Sequence, residues 1–276
     1  MNGKLTVVGT PLGNLGDITD RARESLGAAD LILCEDTRRT GGLISKLGLS
    51  SPPMLVANEH TEHGVVDRML AALSEGKNVV LATDAGMPAI SDPGARLIGA
   101  AADAGFEIDV APGPTALIVG LVLSGLPTAR FVFEGFLPRK GKERAERLGE
   151  IGRELRTVIL YEAPHRLVRT LEDLADVCGQ DRMAAAAREL TKLHQDVQRG
   201  TLNTLHAHFF DVPPKGEFVL IIGPISAAPA VKSDEDLVRL LKAEMDDGAS
   251  TRDAVSLVST LTGESKRRVY ELANAL

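Results

Sequence analysis

Two cysteines in 276 residues, Cys34 in an apolar stretch and Cys178 at the end of a helical one, offer neither a disulfide framework nor zinc-ligand spacing. Both are expected to be buried thiols. No apolar run approaches the roughly 18 residues of a membrane span, and the N-terminus holds a strand where a secretory signal needs a longer apolar segment. The expected location is therefore the cytoplasm, with no membrane partner. A glycine-rich turn near the N-terminus has the spacing G-x3-G-x2-G, which is neither the dinucleotide fingerprint nor a P-loop, since no Gly-Lys-Ser/Thr follows. Pro11 removes an N–H from that turn, and no Lys or Arg lies between Gly9 and Asp20, so a polyphosphate is poorly served there. His60 and His63 stand as a bare pair with no further ligand in view and read as a polar loop or helix start, so no metal is expected.

That turn organises what is present. In KLTVVGTPLGNLGDITD, β-branched Thr6, Val7 and Val8 form a strand that Gly9, Pro11, Gly13 and Gly16 end at once. A helix follows, capped by Asp17 or Thr19, with Ile18, Ala22 and Leu26 on one face. Strands are expected at 5–8, 30–34, 54–57, 78–83 and 106–110, with helices at about 19–27, 37–47, 62–74 and 93–104 between them. This alternation predicts an α/β sheet with its ligand at the carboxyl ends of the strands. The loops there, GTPLGNLGD, EDTRRTGG, DAGMPAISDPG and APGPTA, are rich in Gly, Pro and acid, and suit a ligand with amine, hydroxyl and cationic groups. Asp36 and Asp92 read first as helix N-caps, with a helix beginning at Asp92; Asp84 is harder to assign to structure.

PTALIVGLVLSGL reads as a buried apolar helix, after which a second set of strands is expected at 130–136, 157–162, 183–188, about 195–199 and 217–222, with helices near 141–155, 164–177 and 201–209. Three units follow from this: 1–124, 125–228, and a tail at 229–276 of three short amphipathic helices whose last two have helix-turn-helix proportions. The net charge is −7, unevenly spread, because residues 138–169 hold nine Lys or Arg against five Glu. Arg139, Lys140 and Arg166 belong to this strip, which is either a phosphate-contacting face or a solvated helix laced with pairs such as Glu143–Arg147. The tail, with Lys266, Arg267 and Arg268 opening its last helix, offers a nucleic-acid contact or a packing appendage.

GTPLGNLGDIT, CEDTRRT, ATDAGMPAISDPG, APGPTA, FEGFLPRK, YEAPHR, ARELTK and KGEFVLIIGP occur in this order over residues 4 to about 224. In this the chain resembles the bacterial ribosomal RNA small subunit methyltransferase I family of the tetrapyrrole methylase superfamily. YEAPHR and ARELTK separate it from the corrin-making relatives. The resemblance implies two α/β domains with S-adenosylmethionine in the cleft between them, 2′-O-methylation of a decoding-centre cytidine of 16S rRNA in the 30S subunit, and a homodimer. It implies a cofactor pocket of Pro11, Asp84, Ala85, Gly86, Ser91, Pro112 and Thr115 from the first domain and Phe136, Leu137, Tyr161, Leu190 and Glu217 from the second. Met87 stands where relatives often carry threonine.

Methyl transfer from a sulfonium is a displacement that needs alignment more than a metal, but a ribose hydroxyl needs a proton acceptor or a partner for the developing alkoxide. Glu162, His165, Glu189 and Lys192 are the candidates in the matching motifs, with Arg188 beside them. Asp36 and Arg38, the basic pair Arg139 and Lys140, Arg166 and Arg188 are the candidate substrate contacts. Two other functions stay open: methylation of a tetrapyrrole precursor, which needs no RNA, and 30S binding without catalysis.

Overall fold

The computed structural model describes residues 3–58, 62–225 and 233–276. His60 and the expected boundary at 228/229 lie outside the described residues. A first sheet is built from β1 (Lys4–Val8), β2 (Leu31–Cys34), β3 (Met54–Val56), β4 (Asn78–Ala82) and β5 (Glu107–Ala111), all parallel, in the order β3-β2-β4-β1-β5. Between them run α1 (Asp20–Gly27), α2 (Thr37–Lys46), α3 (Glu62–Ser74) and α4 (Ala95–Asp103). The strands are apolar in almost every position because helices cover both faces: Leu5, Val7, Leu33, Val79 and Leu81 pack with α3 and α4, whereas Val8, Ile32, Cys34 and Val80 pack with α1 and α2.

Thr19 caps α1, its hydroxyl accepting from the Ala22 amide at 3.1 Å, while Asp17 ends a separate 3-10 turn, Leu15–Asp17, capped by Asn14. Asp36 caps α2 as expected. Asp92 does not cap α4: that helix starts three residues later, behind Gly94, whose φ of 132° fits only glycine comfortably and which offers no side-chain cap.

The second sheet holds β6 (Phe131–Phe136), β7 (Thr157–Glu162), β8 (Met183–Arg188), β9 (Asp196–Thr201) and β10 (Phe218–Ile222) in the order β6-β7-β10-β8-β9. Only β6 and β7 are parallel; β10 runs antiparallel to both β7 and β8, and β8 to β9. One face is covered by α6 (Lys142–Arg153), α7 (Pro164–Cys178) and α8 (Leu202–Asp211), with Leu167, Leu171 and Leu174 of α7 fully buried at helical spacing. Each such leucine contributes about 1.5–3 kcal/mol of apolar burial.

The other face is covered by α5 (Ala116–Ser124), whose Leu117 and Leu121 pack on Ile159, Ala185, Val219 and Ile221. Gly120 lets the helix approach, since a Cβ there would lie 2.9 Å from Val219. This helix is not buried all round, contrary to expectation: Val122 is 67% exposed and Ile118 44%. Of the thiols, Cys34 is buried and Cys178 only partly so. A last bundle, α9 (Asp234–Asp246), α10 (Thr251–Thr262) and α11 (Lys266–Ala273), has its own small core of Leu237, Leu241, Val255, Val258 and Val269.

The loops leaving β1, β4 and β5 meet backbone to backbone. A Cβ on Gly9 would lie 2.6 Å from the Gly113 backbone, and Thr10 and Gly86 exchange both amide hydrogen bonds, at 2.9 and 3.1 Å. Gly9→Ala is expected to cost about 1–3 kcal/mol through overpacking against main chain that cannot yield, read as a lower midpoint in denaturant unfolding.

Candidate functional site

At the carboxyl ends of β4 and β7 lies a cleft of about 380 Å³ walled by both sheets. From the first come Leu12, Glu35, Arg39, Asp84, Ala85, Gly86, Met87, Ile90, Ser91 and Asp92; from α5 and the second come Thr115, Phe136, Tyr161, Glu162, Leu190, Lys192, Glu217 and Val219. Nine of the twelve residues expected around the cofactor line it. Pro11 and Pro112 do not; Pro112 lines a shallow groove with Asp17, Thr19 and Thr191 instead. The Leu137 side chain is 2% exposed in the core of the second sheet, although its carbonyl accepts from Arg166 Nη2 at 2.6 Å.

The loops that shape the cleft are under backbone strain. Ala89 and Ser91 after β4, and Glu189 and Thr191 after β8, all have positive φ, between 49° and 68°. Phe136 sits edge-on to Tyr161 with ring centroids 5.6 Å apart, and Tyr161 Oη accepts from the Leu117 amide at 3.1 Å. Gly135, at the bulge in β6, lets Ser91 come close, since a Cβ there would stand 3.0 Å from its Oγ. Thus an aromatic wall faces a polar loop.

Charge is divided unequally between the walls. On the first-sheet side Glu35, Asp84 and Asp92 face one cation among the described residues, Arg39, whose Nη1 is 3.4 Å from Asp84 Oδ2; Asp84 Oδ1 is buried with no hydrogen-bond partner among them. Burial, then the Asp84 charge, raises the Glu35 carboxyl, and burial raises Asp84 despite Arg39. Asp92 is pushed up to about 6, by burial first and by Glu35 next, with the Thr83 hydroxyl partly offsetting them. Among the described residues no group of three or more His, Cys, Asp or Glu is arranged to hold a metal ion.

The second-sheet side is already paired. Glu162 is 2% exposed, and its carboxylate accepts from Thr170 Oγ1 at 2.6 Å and the Ala163 amide at 2.9 Å, with Arg166 Nε at 3.2 Å. Lys192 Nζ donates to Glu189 at 3.1 Å and Glu217 at 2.8 Å. Burial would lower its pKa, but these two carboxylates outweigh burial and raise it, so the ammonium holds its proton. Glu189 is held below its usual range, burial being outweighed by the Glu217 amide and Lys192. Gly13 leaves room for this lysine, since a Cβ there would run into its side chain. His165 is exposed and outside the cleft.

The expected substrate contacts lie apart from the cleft. Asp36 is held down to about 2 by the Arg38 guanidinium, which it grips at 3.1 and 2.7 Å, and its side chain caps α2. Arg166 is spent on Glu162 and Leu137. Arg188 donates to the His194 carbonyl at 3.4 Å. Part of the basic strip is internal or paired: Arg144 is buried and bonded to Asp173, Thr170 and Pro138, and Arg147, though exposed, pairs with Glu134 and Glu150 rather than Glu143. Arg139 and Lys140 remain exposed, with no ion pair among the described residues. Sequence reasoning missed Glu35, Arg39 and Asp92 as cleft residues. The signal for Asp92 was the Ser-Asp-Pro-Gly run, which resembles a helix start but contains an extra turn.

A model of the tetrapyrrole (corrin/porphyrin) methylases matches residues 4–206. A uroporphyrin-III C-methyltransferase from Thermus thermophilus, complexed with S-adenosyl homocysteine, superposes with a TM-score of 0.58 at 19% identity, over 81% of this chain and 98% of that one. Fold and matched segment define a tetrapyrrole methylase. The ribosomal RNA small subunit methyltransferase I of Synechocystis is 45% identical over 274 residues, covering 98% of this chain and 97% of that one. That of Thermotoga maritima is 45% identical over 220 residues, 80% of this chain and 98% of its own. The chain belongs to the ribosomal RNA small subunit methyltransferase I family within the tetrapyrrole methylases.

A carboxyl raised by burial stabilises the fold below its unfolded pKa, and that contribution is lost as pH rises through the folded value, here about 6 for Asp92. Asp92→Asn is expected to raise the thermal midpoint by about 2 °C at about pH 8 and to leave it unchanged near pH 4, by calorimetry.

Proposed function

We propose that this chain transfers the methyl group of S-adenosylmethionine to the 2′-hydroxyl of a decoding-centre cytidine ribose in 16S rRNA, within the 30S subunit. The observation that carries this reading is the 45% identity to ribosomal RNA small subunit methyltransferase I over 98% of the chain, against 19% to the superposed uroporphyrin methyltransferase.

The cleft suits the cofactor by its own chemistry. An unpartnered, buried Asp84 oxygen awaits a hydroxyl or ammonium donor, the carboxylates around it favour a cation, and Leu12, Met87, Ile90, Phe136 and Val219 offer apolar surface for an adenine. S-adenosylmethionine supplies an electrophilic methyl on a positively charged sulfur. Asp84, Ala85, Gly86, Ser91 and Thr115 would hold its polar groups, and Phe136, Tyr161 and Leu190 would close over it. Arg139 and Lys140, exposed beside Phe136, would meet RNA phosphates. The apolar side chains of Ile118, Val122 and Leu193, left exposed, support a homodimer, and a 30S substrate would place the reaction in the cytoplasm.

Labelled methyl should pass from S-adenosylmethionine to 30S subunits lacking the modification, with the label mapping to one cytidine ribose after nuclease digestion. Label on a tetrapyrrole and none on RNA would sink this reading. Asp84→Asn is expected to weaken cofactor binding by about tenfold or more, through loss of a charge-assisted hydrogen bond, measured by calorimetry.

A further inference from the structure

The reaction proposed above requires an acceptor for the hydroxyl proton, and the groups that the motifs single out are occupied. Glu162 has its oxygens on Thr170, Ala163 and Arg166, Glu189 accepts from Lys192 and the Glu217 amide, and Lys192 keeps its proton between two carboxylates. His165 does not reach the cleft. Asp92 lies in the cleft wall and is not engaged in capping α4, although its sequence position is that of a cap. The left-handed residues Ala89 and Ser91, at φ 68° and 59°, form the extra turn that carries it into the cleft instead. Strained backbone that places a carboxylate opposite an aromatic wall is a signature of a working site.

From this geometry we propose that Asp92 is the general base of methyl transfer. The inference rests on the function proposed above. As the ribose oxygen forms its bond to the methyl carbon, the carbon–sulfur bond of the donor breaks with its electron pair going to sulfur, and the 2′-hydroxyl proton passes to the Asp92 carboxylate. Charge balances: a sulfonium and a carboxylate become a neutral thioether and a carboxylic acid. The groups around Asp92 are Thr83 at the end of β4, Glu35 after β2, Asp84 after β4, Arg39 on α2, and Tyr161 on β7, whose phenol is raised by burial and also by the Asp92 charge. Burial, and after it Glu35, makes Asp92 a stronger base than an ordinary aspartate while leaving it ionised at neutral pH.

The test is single-turnover methyl transfer to 30S subunits lacking the modification, from about pH 5 to about pH 9, by the wild-type chain, Asp92→Asn and Asp92→Glu, with cofactor affinity measured alongside. The wild-type rate should rise tenfold per pH unit to a plateau above about pH 6. Asp92→Asn should lower the plateau by about 100-fold or more and remove the rise, with affinity for S-adenosylmethionine falling by no more than about tenfold through loss of one of the three cleft carboxylates, and Asp92→Glu should recover part of the rate. A full rate with an unchanged pH limb in Asp92→Asn, or a loss of cofactor affinity as large as the loss of rate, overturns the assignment. Absence of transfer by the wild-type chain overturns the function itself and this role with it, and is told apart because it appears before any substitution is made.

Discussion

The close contact of Gly9 with Gly113, backbone against backbone, is the constraint from which the cleft follows. It fixes the loop after β1 against the loop after β5, and the paired amides of Thr10 and Gly86 add the loop after β4. Three carboxyl-end loops are thereby locked to one another by main chain, which leaves their side chains free to face outward. The sheet beneath supplies rigidity, because its parallel strands are apolar on both faces and covered on both.

The second sheet contributes a different kind of wall. Its ends carry ionisable groups already satisfied within their own network: Glu162 with Thr170 and Arg166, and Lys192 with Glu189 and Glu217. Arg144 extends that network to α6 through Thr170, so residues that look like a basic face in the sequence are in part the fastening of that face to the sheet. Buried, with four of its five N–H donors on protein acceptors, Arg144 is out of reach of a phosphate.

Much of this was legible in the residues. The alternation of apolar strands with capped helices gave the first sheet to within two residues at nearly every boundary, because period and glycine punctuation agree there. The Asp36 and Thr19 caps were visible for the same reason. The antiparallel course of β10 was not, since strand direction is decided by connections that composition does not encode. Asp92 was read as a cap because Asp-Pro-Gly before an apolar run has that meaning in isolation; only the positive φ of Ala89 and Ser91 redirects it. How the basic strip divides was not legible, because the partners that bind Arg144 and Arg147, Asp173 and Glu134, lie outside it in sequence. Nine of the expected cofactor residues reach the cleft because strand ends converge there. Leu137, one position past such an end, turns inward to the core.

The unequal division of charge between the two walls has a consequence for turnover. Glu35, Asp84 and Asp92 give the first wall a negative potential that Arg39 only partly cancels, and a cation entering the cleft is held by it while a neutral molecule of nearly the same shape is not. Under the proposed reaction the donor arrives charged and its demethylated remnant leaves without that charge, so the field that recruits the donor relaxes its hold once the methyl has gone. Wall and ligand would thus be discharged together, Asp92 by the proton it takes and the donor by the methyl it gives, an asymmetry that favours release of the product over the donor.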